Sequence, residues 1–304
     1  MPPLSERDWI VHSLNIHGLF LERWVASAIG KKSDWHVSSA GYPVKVPPDP
    51  KLPGCESAID VVAHAISPEG IRLTLAIECK KNNVEFVNWI FFQSRNPRHI
   101  SVPLLTYGLY DEDDPPGWYI GRRRLPDMEI IIADEGRETR GDYASRKTDH
   151  AKTKTSNAAI SDASYQAAIG TQALAWEELS RAEAYDESER GNVLPERGWG
   201  EQIFLPVIVT TAKPMVASFA AEDVDAATGE VSYDRVTLSE VPYLLYDYPL
   251  PRHLQSPDVR IEYLLHDEYI QSWSRLHIAV VNSAHLGEFL SSPLIAHLLA
   301  SRAA

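Results

Sequence analysis

The chain has only two cysteines in 304 residues, Cys55 and Cys79, with no Cys-x-x-Cys spacing. That excludes a disulfide framework and a cysteine-built zinc site, and it suits a reducing cytosol. Eleven histidines show no paired spacing of the His-Glu-x-x-His kind, so no zinc-hydrolase helix is written in the sequence. No run of eighteen apolar residues is available to span a bilayer. Met1 to Arg7 is polar and proline-bearing rather than a basic stretch followed by an apolar one, so no signal peptide is expected. The expectation is a cytoplasmic protein with no membrane partner. Internal repeats, heptads and low-complexity tracts are also missing. Positive charge is scarce as well: 29 Lys and Arg face 42 Asp and Glu, for a net charge of −13. Phosphate contacts need concentrated Lys and Arg, so this balance is the main objection to a nucleic-acid partner.

Against these absences stand two strands that each end in charge. In Leu73-Thr74-Leu75-Ala76-Ile77-Glu78-Cys79-Lys80, alternation puts Leu73, Leu75, Ile77 and Cys79 on one face and Glu78 with Lys80 on the other. The preceding run Ser57 to Ile66 reads as a strand that contains Asp60, and Ser67-Pro68-Glu69-Gly70 supplies the turn that folds one run back on the other. Asp60 then approaches Glu78. Two neighbouring carboxylates repel unless a cation lies between them, and oxygen ligands suit Mg²⁺ or Mn²⁺. Lys80 adds an ammonium on the same face, able to hold a water or to stabilise charge on a phosphate. A bare surface ion pair between Glu78 and Lys80, with Asp60 unrelated to it, is the alternative reading of the same residues.

This pattern resembles the PD-(D/E)XK nuclease superfamily, whose core supplies one Asp from the first motif strand and a Glu-x-Lys from the next. The match lies at Asp60, Glu78 and Lys80; the residue before the aspartate is Ile59 rather than proline. The resemblance implies that Asp60 and Glu78 bind the metal, that the main-chain carbonyl of Cys79 adds a ligand, and that Lys80 assists the attacking water. It also implies a restriction-endonuclease-like α/β fold, with a central mixed sheet flanked by helices. Members of this superfamily often carry a Glu on the helix before the motif strands, a place occupied here by Glu22. Leu21, Val25 and Ala28 fall at helical spacing around it, with Gly18 and Ala26 one turn either side, and Gly30 is the expected stop. Glu22 would contact the metal or orient the water; a solvent-facing glutamate is the other reading. A glutamine on the helix after the third strand is a further family feature. Gln166 fits it better than Gln172, because Gly170 and Ala173 lie beside Gln166, on a helix expected from about Asp162 to Ala182 with Ser161 or Asp162 as its cap. A polar residue on a half-exposed helix is the plain alternative.

The rest of the chain is read for organisation. Trp35 to Val46 is expected as a strand, Val84 to Gln93 as a helix or a strand, Asp127 to Ala133 as a strand, and 136–157 as a loop. Ile203 to Thr211 is a strong strand. Short strands follow at Val231 to Leu238, Tyr243 to Tyr248, Val259 to Leu265 and Leu276 to Val281, then a helix from about Ser283 to Ala300. One elaborated domain over 1–304 is expected, with a core at about 10–220 and a C-terminal α/β extension at about 221–304. Arg122 to Arg124, Arg137, Arg140, Arg146, Lys147, Lys152 and Lys154 form either a basic groove or a solvated loop, while Asp111 to Asp114 and Glu183 to Glu189 carry much of the acid. Tyr243, Tyr246 and Tyr248 are ordinary strand residues or base-stacking ones. His64 shares a strand face with Asp60 but lies roughly 13 Å along it, too far to ligate the same ion.

The function expected is a metal-dependent nuclease acting most naturally on DNA, in bacterial or phage defence, restriction or repair, as a homo-oligomer or with a partner protein. A non-catalytic subunit of the same fold and a hydrolase of small phosphorylated ligands are the alternatives.

Overall fold

The apolar run Ile203 to Val209 becomes an inner strand of a mixed sheet that has twelve strands among the described residues. In the computed structural model the described residues are 5–16, 18–45, 56–82, 86–94, 101–108, 117–124, 129–139, 157–188, 201–251, 254 and 274–300. In chain order the helices and strands are α1 (Glu6–Ile16), α2 (Leu19–Gly30), β1 (His36–Lys45), β2 (Glu56–Ile66), β3 (Arg72–Lys80), β4 (Asn88–Gln93), β5 (Ser101–Gly108), β6 (Gly117–Arg124), β7 (Ile132–Thr139) and α3 (Ala158–Ser188). They continue with β8 (Gln202–Thr210), β9 (Lys213–Ser218), β10 (Thr237–Glu240), β11 (Tyr243–Pro249), β12 (Arg275–Asn282), α4 (Leu286–Phe289) and α5 (Pro293–Leu299).

The strands run β1-β2-β3-β8-β12-β11-β7-β4-β9-β10, with the β5–β6 hairpin joined to β8. Strands β1, β2 and β3 form an antiparallel meander, and β3, β8 and β12 are parallel. Every position of β8 is buried, as expected of a strand covered on both faces. Along one edge β8 first meets β5, at Ile203 opposite Leu104, and then β12 from Val207 opposite Ala279. Pro206 falls between these neighbours, where that edge has no ladder partner among the described strands. Such a gap lets a central strand carry a residue without an N–H.

One face of the sheet is covered by α2, α4 and α5, whose Val25, Ile29, Leu286, Phe289, Leu294, Ile295 and Leu298 pack on Leu73, Leu75, Ile77, Val207 and Val209. The 31-residue α3 covers the other face, packing Ala173, Leu174 and Leu179 against Val62, Ala76 and Phe204. The architecture is therefore α/β, a large mixed sheet flanked by helices. The last described strand, β12, lies between β8 and β11 inside the sheet.

Several elements differ from the expected ones. The expected strand at Asp127 to Ala133 starts at Ile132 and runs on to Thr139. Pairing decides its extent: β4 lies antiparallel to it from Gln93 opposite Ala133 to Asn88 opposite Thr139, so 136–139, expected as loop, are strand, and 140–156 lie outside the described residues. Its Glu138 is buried, and Oε1 accepts the Ala159 and Ile160 N–H groups at 2.6 and 3.3 Å. The start of α3 is thus capped from another strand, four residues before the expected Asp162. Residues 88–93 are a strand. The stretch expected as a strand at Val231 to Leu238 is a 3₁₀ turn, Tyr233–Arg235, followed by β10. The final helix is broken into α4 and α5, with Ser292 capping α5 through Ile295 N–H. Cys55, Asp111 to Asp114, Arg140, Arg146, Lys147, Lys152, Lys154, Glu189 and Val259 to Leu265 lie outside the described residues.

Helix α3 reaches the sheet closely because position 170 has no side chain. A Cβ placed there would lie 2.6 Å from Ile59 Cγ1. Gly170→Ala gains about 1 kcal/mol of helix propensity but meets an overpacking cost of about 1–3 kcal/mol. Denaturant unfolding should show net destabilisation, and Ile59→Ala in the same chain should recover part of it.

Candidate active site

The β2–β3 ladder ends at Val61 opposite Ile77, and the next step would set Asp60 against Glu78. Regular alternation fails there: Ile59 packs on the α3 face and Val61 on the opposite one. The Cys79 N–H, beyond the last paired residues, donates instead to Asp60 Oδ2 at 2.7 Å. Asp60 thereby takes the place of a strand partner, and its carboxylate is drawn to the Glu78-Cys79-Lys80 segment. Glu78 and Lys80 are half-buried, while Leu73, Leu75, Ile77 and Cys79 point into the α2 side of the core.

The two carboxyl groups hydrogen-bond each other, an arrangement that needs one of them to be protonated. Burial first, and then the Asp60 charge, push Glu78 up from an ordinary 4.5 to about 8, against the opposing pull of Lys80. Burial also raises Asp60, while the Cys79 N–H, Lys80 and the Glu78 hydrogen bond act the other way. Glu22 on α2 is near enough to feel the same field: burial raises it first, then the Asp60 charge. Burial and these three carboxylates push the Cys79 thiol far up, so it remains an inert thiol.

Helix α2 is held for this role by its start. Gly18 takes the left-handed conformation, φ 76°, which favours a residue without a Cβ. Lys81, next after Lys80, donates from Nζ to the Asn15 carbonyl at 2.6 Å. The α1–α2 junction is thus clipped to the end of β3, and Val25 and Ile29 anchor the same helix in the core. The helix includes Gly30 as its last residue and ends on Lys31. On the other side, Gln166 lies on α3 one helical turn before Gly170, the residue that meets Ile59. Gln172 is committed elsewhere, donating to the Leu254 carbonyl at 3.0 Å.

Two residues that the motif pattern did not reveal support the strand end that carries Lys80. Thr211 N–H meets the Lys80 carbonyl at 3.4 Å, and Thr211 Oγ1 accepts the Asn82 N–H at 2.9 Å. Asn282 Nδ2 donates to the Ala212 carbonyl at 2.7 Å, fixing the same corner from β12. Their signal is contact across strands distant in sequence.

The basic span behaves differently. Arg123 is buried, pairs with Glu201 at 3.3 Å and donates to the Ala300 carbonyl at 2.6 Å, so it holds the end of α5 rather than facing a ligand. Arg137 pairs with Glu135 and donates to the Gly136 carbonyl at 2.9 Å. Tyr246 and Tyr248 are buried and Tyr243 packs edge-on against Phe289, which leaves no base-stacking surface there. His64 is half-buried, with Nδ1 2.8 Å from Ser38 Oγ, and burial lowers its pKa to about 4.

Among the described residues no three His, Cys, Asp or Glu side chains form a ready-made metal cage, and no helix is long and apolar enough to cross a membrane. The close pair is Asp60 with Glu78, and Glu22 stands further out. The donor set nonetheless fits a hard divalent ion: all oxygen, doubly anionic once ionised, with Asp60 and Glu78 already within hydrogen-bond reach of each other. Comparison of the chain with family models, with curated proteins and with solved structures finds no match.

The raised Glu78 value has a consequence for stability. Between pH 4.5 and about 8 the folded protein holds a proton that the unfolded chain has released, so stability falls as pH rises, by up to about 1.4 kcal/mol per pH unit. Urea unfolding of the metal-free protein at pH 5 to 8 should show this decline, and Glu78→Gln should flatten it.

Proposed function

We propose that the protein is a metal-dependent nuclease with a restriction-endonuclease-like core, hydrolysing phosphodiester bonds, with DNA the first substrate to test. The observation that carries this reading is the pairing of the Asp60 and Glu78 carboxyls at diverging strand ends, with Lys80 two residues on. Asp60 and Glu78 hold Mg²⁺ or Mn²⁺. In an extended strand the N–H and C=O of one residue leave on the same side, so the Cys79 carbonyl faces the Asp60 side and joins the ligand set.

When bound, the ion supplies Lewis-acid polarisation of the phosphate and a more acidic water. The chain's own residues do the rest. The Lys80 ammonium holds the attacking water or neutralises charge that grows on the phosphate oxygens. Glu22, its carboxyl raised from the ordinary range first by burial and then by the Asp60 charge, orients that water or adds a ligand. Gln166 reaches the substrate or the same water from α3.

A second reading, a non-catalytic subunit of this fold with a vestigial site, is favoured by the net charge of −13 and by the internal engagement of Arg123 and Arg137. Calorimetric titration separates the two, because a vestigial site takes up no Mn²⁺ in a manner that depends on Asp60 and Glu78.

The proposal is tested by incubating the protein with supercoiled plasmid, linear duplex, single-stranded DNA, RNA and free nucleotides, each with and without Mn²⁺. Cleavage should require the metal. Asp60→Ala, Glu78→Gln and Lys80→Ala should each lower it by at least about a hundredfold while circular dichroism shows an unchanged fold; Glu22→Gln should cost less. Full activity in both Asp60→Ala and Lys80→Ala would overturn the proposal, and cleavage of nucleotides alone would redirect it to small phosphorylated substrates.

A further inference from the structure

Strands β1 and β2 carry a pair of imidazoles that the nuclease reading does not use. His36 stands directly opposite His64 in the ladder, and the ring centres are 4.9 Å apart, tilted by 56°. Two imidazoles bound to one ion at about 2.1 Å, with an N–metal–N angle between about 90° and 110°, place their ring centres about 4.5–5.2 Å apart. The observed separation falls within that range.

The strand is also shaped to orient one of the rings. The register of β1 slips between Val37 and Ser39, so Ser38 is the extra residue of a β-bulge. A bulge re-aims its side chain relative to regular alternation, and Ser38 Oγ stands 2.8 Å from His64 Nδ1. An ion on Nε2 requires the ring proton on Nδ1, and Ser38 Oγ is placed to accept it. This is the outer hydrogen bond that fixes the tautomer and orientation of metal-binding histidines.

We propose that His36 and His64 form a two-imidazole chelate for a borderline divalent transition metal, Zn²⁺, Ni²⁺ or Cu²⁺, with Ser38 positioning His64 and water completing the coordination. The site is separate from the carboxylates: four strand residues put His64 about 13 Å from Asp60. Its selectivity differs too. Imidazole nitrogen suits Zn²⁺, Cu²⁺ and Ni²⁺ and not Mg²⁺. Arg72, whose charge reaches His64 from β3, opposes any ion held by charge alone.

The test is calorimetric titration of the untagged full chain with Zn²⁺ and Ni²⁺ at neutral pH, with excess Mg²⁺ present, in wild-type and Glu78→Gln proteins. Saturable uptake of one ion per chain is expected in both, since Glu78 lies outside this site. His36→Gln, at an exposed strand position, should weaken uptake by at least about tenfold, and Ser38→Ala by about tenfold. With Cu²⁺, electron paramagnetic resonance should show coupling to two nitrogens in the wild type and to one in His36→Gln. No saturable uptake, or equal uptake and an equal spectrum in wild type and His36→Gln, would overturn the proposal. Loss of uptake in Glu78→Gln alone would assign the ion to the carboxylates and overturn it as well. Nuclease activity is not a readout here, so the two proposals fail independently.

Discussion

The parallel ladder between β3 and β8 is the constraint on which the arrangement depends. It pairs Arg72 to Lys80 with Gln202 to Thr210 along their full length, across more than a hundred residues of intervening chain. On its other edge β3 is paired only as far as Ile77. One edge continuous and the other open is what produces the site: β8 holds Glu78, Cys79 and Lys80 extended, while β2 diverges and leaves the Cys79 N–H to the Asp60 side chain. If β2 stayed paired to the end, a backbone carbonyl would take that N–H and the Asp60 carboxylate would have no reason to turn toward it.

Once placed there, the carboxyls are in conflict. Burial and mutual repulsion disfavour ionising both, and both carboxyls are pushed up from their ordinary range, Glu78 the further. Structural carboxylates in a core normally sit opposite an arginine, as Asp247 does with Arg275 at 2.7 Å. Among the described residues the cation acting on the pair at Asp60 and Glu78 is Lys80, and its pull does not bring Glu78 back to its ordinary range. On the nuclease reading, such a pair is retained against stability for chemistry rather than for the fold.

Much of this was legible in the sequence because the relevant signals are local. Alternation in Leu73 to Lys80, the turn at Ser67 to Gly70 and the helical spacing of Leu21, Val25 and Ala28 each depend on a few adjacent residues, and each element formed within a residue or two of its expected bounds. What was not legible depends on residues distant in sequence. Glu138 caps α3 from β7, which no pattern around Ser161 could disclose. The strand β7 continues through Asp134, Glu135 and Arg137 because β4 lies beside it, although its composition reads as loop. Arg123 looked like part of a basic surface and is instead consumed by the end of α5, a contact between residues 177 positions apart. The bulge at Ser38 likewise exists only in relation to β2.

The charge balance bears on how substrate would be held. A chain with net charge −13 repels a polyanion at long range, and two of its candidate groove arginines are spent on internal contacts. On the nuclease reading, phosphate affinity therefore has to be generated at the site rather than brought by the surface. Ionised Asp60 and Glu78 do this indirectly, by holding a divalent cation whose surplus charge, together with Lys80, reverses the sign of the local field. The same two residues that make the empty site hostile to phosphate make the filled site attractive to it. Substrate binding and metal binding are then linked, each strengthening the other by the same factor, and the acidic surface confines productive encounters to the metal-loaded protein.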